Sequence, residues 1–489
     1  MTEPIPLTHR ETLRIMLGLL SALGTAMIGA TVIANALPAI LLDLGGSPTE
    51  LTLIFVASLT AMTVTMPIWG KLSDQLDKKR LMQVALVIFV VGSMLCGTAS
   101  SAPWLIGFRL IQGAGMGGVT VLTQTILASV IPPRIRGRYN GYYGAVTTTA
   151  TVSGPLVGGL IVDAPGLGWR WVFFVCVPLA VGSLVLLQRF LKIQHVPATV
   201  RFDYAGAMTI AGSIGLLLTW ITFGGELFAW RSWASAGLVG SALALLAATV
   251  LVERRAADPL IPVAIIRERT TALAIVASMV VGMSVFGASV FLAQYFQSAR
   301  GISASLAGIL VAPMMLGSLL GAVASGQLIT RFGRWRRFLL AGAISLVSGL
   351  TLASTMSITG SLWTIVIAEV LIGLGMGLLM QNLVLAVQNT VDLPDVGTAS
   401  AAVAFMRSLG GTMGVAILGA LLASRLGTLE AAGVPTPDAY AQATGSTFLA
   451  AAAIAVLAVL AVLAIRETPL RTTIRKTPAP DPQPLDSAQ

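Results

Sequence analysis

The stretch FRLIQGAGMGG at residues 108–118 sets one arginine, Arg109, inside an apolar run and follows it with a ladder of glycines. A second stretch, AEVLIGLGMG at residues 368–377, aligns with it without a gap and has Glu369 at the position of Arg109. Charged residues within long apolar helices are expensive to bury, and they usually face a cavity or a partner. The two stretches therefore predict a duplicated helical element that carries a cation in one copy and an anion in the other.

The composition indicates a membrane protein. Of the 489 residues, 56% are hydrophobic and 10% are charged, and the mean hydropathy is +0.88, whereas soluble domains carry about 25% charged residues. The net charge of +10 does not indicate a nucleic-acid partner, because the basic residues lie between apolar spans. The two cysteines, Cys96 and Cys176, lie in apolar segments, so we expect neither a disulfide nor a metal site. No nucleotide, zinc or redox motif occurs in a suitable context, so we expect no cofactor and no enzyme activity.

Fourteen apolar runs are long enough to cross a bilayer as helices. The connections on one side of these spans hold most of the 30 Lys and Arg residues, which is typical of the cytoplasmic side. We therefore predict a multi-pass protein of the cell membrane, a bacterial inner membrane, with both termini in the cytoplasm. The predicted spans are 13–37, 50–70, 81–99, 103–130, 140–163, 170–191, 204–223, 233–252, 272–297, 304–329, 337–357, 361–387, 397–424 and 446–465.

The chain also repeats itself. The segment GKLSDQLDKKR at 70–80, after the second span, is echoed by GQLITRFGRWR at 326–336, after the tenth. With the duplicated stretch, this pairs spans 1–6 with spans 9–14 and leaves spans 7 and 8 as an inserted hairpin. Two six-helix halves around a site near the middle of the bilayer are typical of secondary transporters. The predicted units are a bundle at 1–192, the inserted pair with its linkers at 193–270, a second bundle at 271–467 and a disordered cytoplasmic tail at 468–489; residues 425–445 are predicted to be the longest external loop.

Four motifs at matching spans resemble the fourteen-helix drug:proton antiporters of the major facilitator superfamily, over essentially the whole chain. They are the loop 70–80, the helix 4 signature (Arg109, Gln112 and Gly113), the helix 5 antiporter signature GPLVGG at 154–159 and the helix 6 entry WRWVFFVCVPL at 169–179. The resemblance implies an all-α polytopic membrane protein with the major facilitator fold. It also implies export of amphipathic drugs or metabolites by alternating access, in exchange for protons.

The chain departs from the antiporter pattern at three positions. Gly29 stands where many relatives have an acidic residue on helix 1, Asp77 replaces the usual glycine of the first loop signature, and Cys176 replaces the usual asparagine at the entry to helix 6. The first departure bears on mechanism, because the acid at that position is often implicated in proton or cation handling. Export of many cationic drugs therefore does not follow directly from the resemblance.

Three charged residues lie inside the predicted spans and are the candidates for proton coupling or substrate binding. Glu369 is the only acidic residue well inside a span, and access that alternates between the two sides could protonate and deprotonate it. The resemblance links Arg109 to proton transfer, either by tuning Glu369 or by acting on an external acid. Arg407 could hold an anionic substrate or balance Glu369. The alternative for all three is a static ion pair or backbone anchor without a role in transport.

Other motif residues predict a gate, a bending helix and a cavity. The cytoplasmic gate, between helices 2, 3 and 13, would use Gly70, Asp74, Lys78 and Arg80. The antiporter-like motif of helix 5, which could pack tightly and bend, comprises Gly154, Pro155, Gly158 and Gly159. Polar residues that could line the cavity are Asn35, Gln112, Gln294, Gln381 and Asn382.

Two other functions remain open at this point. One is a dedicated exporter of a single endogenous metabolite or lipid, which the missing acid at Gly29 favours. The other is a membrane receptor without transport activity, against which the largely intact gate motif argues. The expected partners are a small amphipathic substrate, protons and the lipid bilayer, and the expected state is a monomer.

Overall fold

The computed structural model describes residues 9–44, 48–191, 204–224, 228–255, 268–302, 304–358, 360–392 and 395–471, which are predominantly helical. A short 3-10 segment, Val32–Asn35, separates the first two helices. The helices are α1 (His9–Thr31), α2 (Leu37–Leu44), α3 (Pro48–Gln75), α4 (Lys78–Gly97), α5 (Ala102–Val130), α6 (Pro133–Asp163), α7 (Trp171–Phe174), α8 (Cys176–Phe190), α9 (Tyr204–Phe223), α10 (Trp233–Arg255), α11 (Arg269–Ser298), α12 (Ala304–Leu310), α13 (Ala312–Phe332), α14 (Arg336–Ala353), α15 (Leu362–Thr390), α16 (Val396–Ala431) and α17 (Thr436–Ala464).

Ten of the described helical stretches are long and apolar enough to cross a membrane. The predicted second and fifth spans coincide with α3 and α6, which do not meet that criterion. The predicted seventh and eighth spans coincide with α9 and α10, whose apolar stretches are shorter. The multi-pass helical architecture is confirmed, and the number fourteen stays a prediction.

Two bundles face each other, α1–α8 in the first half and α11–α17 in the second. The large buried apolar clusters follow this division, with one centred on α1, α4 and α5 and another on α11, α14, α15 and α17. The halves meet where α3 packs on α16 and α6 packs on α13. The basic connections of both halves lie at one end of the bundle, because Asp74 beside one of them accepts from Gly397 and Thr330 beside another accepts from Arg138 of the opposite half. We call this the basic end.

The prediction of a long external loop at 425–445 is wrong. Helix α16 continues to Ala431 and α17 begins at Thr436, so the connection is short. The turn depends on Gly433, whose φ of 79° suits glycine. Ala, Leu and Thr dominate the added helical turns, and the hydropathy used to place the spans does not report helix propensity.

The end of the chain was predicted to be disordered from residue 468. Residues 468–471 instead contact the basic ends of α14 and α15. Trp335 donates to the carbonyl of Thr468 at 2.9 Å, and the Arg471 guanidinium reaches the carbonyl of Val391 at 3.1 Å. Leu470 is buried against the second half. Residues 472–489 lie outside the described part of the chain.

The inserted pair α9–α10 lies against the seam between the halves. Helix α9 packs on both α3 and α16. Its buried side chains Ile210, Ile214 and Leu218 recur every four residues and so form one face. Much of α10 remains uncovered by protein, including Leu243 and Leu246. The pair therefore covers, with one apolar face, the line along which α3 and α16 meet.

Candidate functional site

Arg109 is enclosed within the first half. Its side chain is fully buried on α5, and it donates to the carbonyls of Ile54 at 3.2 Å and Gly29 at 3.3 Å. It also donates to Oε1 of Gln112 at 2.6 Å, and Gln112 in turn donates to Ser93 at 2.8 Å. These bonds tie α5 to α1, α3 and α4. Because they compensate most of the polar burial, the arginine has a structural role whatever else it does.

The position of the missing helix 1 acid lies against this arginine. Gly29 offers its backbone carbonyl to Arg109. A side chain at residue 29 would meet the ring of Phe89, which occupies the space beside it. One nitrogen of the guanidinium, Nη2, is buried without a hydrogen-bond partner among the described residues. The chain thus keeps the arginine, replaces the usual carboxylate by a carbonyl and leaves both N–H donors of Nη2 without a described acceptor.

Glu369 is enclosed within the second half. It is fully buried on α15, and neither carboxylate oxygen has a hydrogen-bond partner in the described part of the chain. The adjacent faces of α15 are covered by α13 and α14, because Gly373 lies against Met314 and Gly349 lies against Ala368. Burying an ionised carboxylate without a partner is very costly. Glu369 is therefore a candidate for a change of protonation state, and its part in proton coupling stays a prediction.

Arg109 and Glu369 occupy equivalent positions in the two halves but do not pair. Every described partner of Arg109 belongs to the first half, and Glu369 has no described ion pair. Arg407 does not pair with Glu369 either: it donates to the carbonyl of Met380 at 3.3 Å. The static ion pair considered from the sequence therefore finds no support in the geometry. Of the three charges, only Arg407 lies at the seam between the halves, because it is next to Ser408, whose hydroxyl shares a hydrogen bond with Thr63 of α3. Arg407 also interacts electrostatically with Tyr143 of α6.

Asp74 holds the halves together at the basic end. Its carboxylate, at the end of α3, accepts hydrogen bonds from the backbone N–H groups of Gly397 at 2.8 Å and Thr398 at 2.7 Å. The Thr398 hydroxyl adds a third bond at 2.8 Å. These donors form the first turn of α16, whose unpaired N–H groups and helix dipole favour an anion. Asp74 thus caps a helix of the opposite half.

The remaining gate residues support Asp74 from within the first half. Gly70 lies against Ala401 and Gly397, which lets α3 and α16 approach closely. Lys78 interacts electrostatically with Asp74 without a described salt bridge. The Arg80 side chain is exposed. The backbone N–H of Arg80 donates to the Asp77 carboxylate at 2.8 Å, so that Asp77 caps α4. The substitution of the usual glycine by Asp77 therefore supplies a helix cap.

Sequence reasoning missed that the latch is duplicated. Thr330 aligns with Asp74 in the repeated segment, and its hydroxyl accepts a hydrogen bond from the backbone N–H of Arg138 at 3.1 Å. This contact joins the second turn of α6 to the second half, as Asp74 joins the first turn of α16 to the first half. Gly326 lies against Gly137 beside it, matching Gly70 against Gly397. The alignment of 70–80 with 326–336 contained the signal, but Thr330 carries no charge to draw attention to it.

A buried arginine adds a third link between the halves. Arg136 donates to the carbonyls of Ala128 and Ile131, both at 2.7 Å, and to Oε1 of Gln388 at 2.8 Å. Gln388 lies on α15 and passes the connection to Ser400 on α16 at 2.8 Å. The basic loops predicted only an orientation signal for Arg136, and nothing in the sequence marked this arginine as buried.

The helix 5 motif packs against α1 within the first half. Gly154 lies against Thr31, and Gly158 lies against Val32 where α1 passes into the 3-10 segment. A side chain at either glycine would overlap these atoms, so the contact requires small residues. Helix α6 continues through Pro155, whose ring is outside the described side chains, and Gly159 is half-buried on it. Whether the motif bends in transport stays a prediction.

The polar residues predicted to line a cavity have different environments. Gln112 accepts a hydrogen bond from Arg109. Asn382 donates to the carbonyl of Leu378 on its own helix. Gln294 is exposed and accepts from the Tyr440 hydroxyl. Gln381 is buried. The Asn35 side chain lies outside the described part. The seam instead holds Tyr143 and Gln124, which the prediction did not include.

Comparison with known proteins decides the family. The family model described as Major Facilitator Superfamily matches residues 19–415 and, in a second match, 274–487. The chain belongs to the Major Facilitator Superfamily. It is 32% identical over 413 residues to the multidrug transporter protein MdtP of Bacillus subtilis, covering 84% of this chain and 75% of that protein. It is 33% identical over 406 residues to multidrug resistance protein 3 of the same organism, covering 83% and 78%.

Solved structures share the fold of this facilitator. The human organic anion transporter MFSD10 superposes with a TM-score of 0.66 at 15% identity, covering 92% of this chain and 99% of that one. Identity that low supports the fold alone. Together with the multidrug relatives, the family membership makes this chain a membrane transporter and not an enzyme.

Proposed function

We propose that this facilitator exports amphipathic drugs or metabolites across the cytoplasmic membrane by alternating access, in exchange for protons. The proposal includes fourteen spans, both termini in the cytoplasm and the basic end as the cytoplasmic end. The observation that carries it is Glu369, a fully buried carboxyl group without a partner in the described part of the chain. The names of the multidrug relatives support the class of cargo.

The links at the basic end support alternating access. Asp74, Thr330 and Arg136 each bond across the seam at the ends of α3, α13 and α6. Each bond joins a side chain of one half to a backbone or amide group of the other. Such bonds can be exchanged for bonds to water when the ends separate, so the net free energy of each is modest. The arrangement supports a conformation that is closed at the cytoplasmic end and has a defined route to opening.

Glu369 supplies the coupling in this proposal. In apolar surroundings a carboxylic acid is held in its neutral form, and contact with water lets it ionise. A proton taken up while the site is open to the outside would be released after the basic end opens. Because a charge moved across the membrane is worth about 2.3 kcal/mol per 100 mV, proton entry can drive export against a gradient. Arg109 would hold the helices of the first half together while Glu369 in the second half binds and releases the proton.

The test is transport by the full chain in proteoliposomes with an imposed pH gradient. A panel of amphipathic cations, anions and neutral compounds is offered, and accumulation is followed with and without a protonophore. We expect at least one class to accumulate against its gradient and the protonophore to abolish the accumulation. Flux that ignores the protonophore would remove proton coupling, and no flux for any compound would favour a receptor without transport activity.

A second candidate is a dedicated exporter of one endogenous metabolite or lipid. The replacement of the helix 1 acid by Gly29, whose carbonyl binds Arg109, favours it, because a carboxylate used by many multidrug relatives is absent. The same panel separates the two candidates. Transport of one polar compound, with many lipophilic compounds rejected, would select the dedicated exporter.

A further inference from the structure

Three polar side chains from both halves come together at the seam. Gln124 on α5 donates from Nε2 to the hydroxyl of Tyr143 on α6 at 3.1 Å. The Arg407 guanidinium of α16 donates to the carbonyl of Met380 on α15. Its neighbour Ser408 shares a hydrogen bond with Thr63 of α3 across the halves, and Arg407 interacts electrostatically with the same tyrosine. The cluster thus draws on α5 and α6 of the first half and on α15 and α16 of the second.

The cluster lies deep in the bundle. Tyr143 follows the start of α6 at Pro133 by ten residues, Arg407 follows the start of α16 at Val396 by eleven, and Met380 precedes the end of α15 at Thr390 by ten. At 1.5 Å per residue these positions lie about 15–17 Å from the basic end. The hydrocarbon core of a bilayer is about 30 Å thick. The depth is that at which facilitators of this architecture hold their cargo between two halves.

The cluster has unused hydrogen-bonding capacity of a particular kind. A guanidinium carries five N–H donors, and the described contacts of Arg407 use one, at the long distance of 3.3 Å. The Tyr143 hydroxyl accepts from Gln124, which leaves its own proton available for donation. Oε1 of Gln124 is buried with no hydrogen-bond partner in the described part. Four N–H donors of Arg407, the hydroxyl proton of Tyr143 and one acceptor, Oε1 of Gln124, therefore have no described partner.

No described carboxylate neutralises Arg407. Glu369 has no hydrogen-bond partner in the described part of the chain. Asp74 is bonded to the first turn of α16, which lies nearer the basic end than Arg407 does. Arg109 is enclosed among its first-half partners and does not reach the seam. Arg407 is half-buried, and a charge at this depth is costly unless it is paired and hydrogen-bonded. A lipophilic cation at this position would add to that cost, whereas an anion would offset it.

We propose that Arg407 and Tyr143 bind the anionic group of the transported molecule, so that the cargo is an amphipathic organic anion such as a carboxylate or sulfonate. The Arg407 guanidinium donates to the anion, the Tyr143 hydroxyl adds a second donor, and Gln124 accepts from a hydroxyl or N–H of the same molecule. The inference rests on the proposed export function for its context. It narrows the expected cargo to organic anions, whereas the names of the multidrug relatives specify no charge.

The test is equilibrium binding to the purified full chain without a proton gradient. The probes are amphipathic carboxylates and sulfonates, such as dansylglycine, each beside its neutral amide, with tetraphenylphosphonium as the cation. The variants are Arg407→Gln, Arg407→Lys and Tyr143→Phe, and thermal unfolding shows whether each is folded. Hydrogen bonds to charged groups contribute about 1.5–3 kcal/mol, which corresponds to roughly 10- to 150-fold in affinity.

We expect the wild type to prefer an anion over its amide by at least about tenfold, from one such bond. Arg407→Gln should lose that preference, because the affinity for the anion falls much more than the affinity for the neutral amide. Arg407→Lys should keep part of it, and Tyr143→Phe should weaken the anion by roughly 3- to 10-fold, since one neutral donor is lost. If Arg407→Gln does not fold, the Lys and Phe variants decide the question.

Three results overturn the inference: a wild type that prefers the cation, no charge-dependent binding across the panel, or anion binding that neither Arg407→Gln nor Tyr143→Phe weakens. The failure of the export function gives a different pattern. In that case anion binding depends on Arg407 as expected, but a pH gradient moves nothing in proteoliposomes. Proton-driven transport of cations that Arg407→Gln leaves intact refutes the anion site and preserves the export function.

Discussion

Replacing Asp74 by alanine should release the basic ends of the two halves. The change removes the acceptor of three hydrogen bonds from the first turn of α16, at 2.7–2.8 Å. A helix cap contributes about 1 kcal/mol, and a carboxylate against a helix N-terminus adds up to about 1 kcal/mol more. Allowing for the hydroxyl bond, the closed form loses about 2–3 kcal/mol, since one neutral hydrogen bond contributes about 1 kcal/mol or less. The ratio of closed to open forms should therefore fall by about 30- to 150-fold.

The assay is double electron–electron resonance on the full chain in nanodiscs. Spin labels at Leu76→Cys and Phe332→Cys report the separation, because both positions are exposed and lie at the basic ends of different halves. The native cysteines Cys96 and Cys176 are buried and should label poorly. Asp74→Ala should add a longer distance to the distribution seen without it.

Asp77→Ala is the matched control. Asp77 caps α4 within the first half through the N–H of Arg80, so its loss should lower the thermal stability by about 1 kcal/mol without lengthening the distance. The reasoning is refuted if Asp74→Ala leaves the distance distribution unchanged. It is equally refuted if Asp77→Ala lengthens the distance as much as Asp74→Ala does.

Three further predictions use the same geometry. Thr330→Val removes one hydrogen bond from Arg138 and should destabilise the closed form by about 1 kcal/mol, so that the spin labels again show the longer distance. An unchanged distance would mean that this bond does not hold the closed form. Burial raises the pKa of Asp74 to about 7 from the ordinary 3.8, because the loss of hydration outweighs the lowering by its hydrogen bonds from Thr398 and Gly397, so the closed form binds the extra proton. Lowering the pH from 8 to 6 should then favour the closed form about tenfold, and Asp74→Asn should abolish this response; a shift toward the open form would contradict it. Arg109→Met should cost about 2–4 kcal/mol in unfolding free energy because buried carbonyls lose their donor, whereas Glu369→Gln should cost under about 1 kcal/mol; equal losses in a thermal unfolding series would contradict the assignment of their roles.

The sequence predicted the fold because its signals were local and repeated. The duplicated stretches at 108–118 and 368–377 and the echoed segments at 70–80 and 326–336 identified two equivalent halves. The same signals predict a contact between Asp74 and helix 13, and Asp74 does bond to the start of α16; its role as a gate stays a prediction. Hydropathy placed helix ends less well at 425–445, where alanine-rich turns extend α16 and α17.

Pairing across the seam could not be predicted, because it depends on how two bundles dock. Arg109 and Glu369 are equivalent in sequence, and that equivalence places each inside its own half instead of opposite the other. Nothing in the sequence marks Tyr143 and Gln124, because their position near Arg407 depends on how α16 packs against the first half. The packing of α9 on both α3 and α16 could not be predicted either, because it depends on how the two halves meet.

The central claim is that Glu369 carries the proton. The most direct measurement compares two modes of transport by Glu369→Gln in proteoliposomes, namely exchange of substrate at equal pH and uphill accumulation driven by a pH gradient. Glu430→Gln is the control, because Glu430 is an exposed carboxylate at the far end of α16. The account predicts that Glu369→Gln keeps exchange and loses uphill accumulation, while Glu430→Gln keeps both. Accumulation by Glu369→Gln at the rate of the wild type would contradict it.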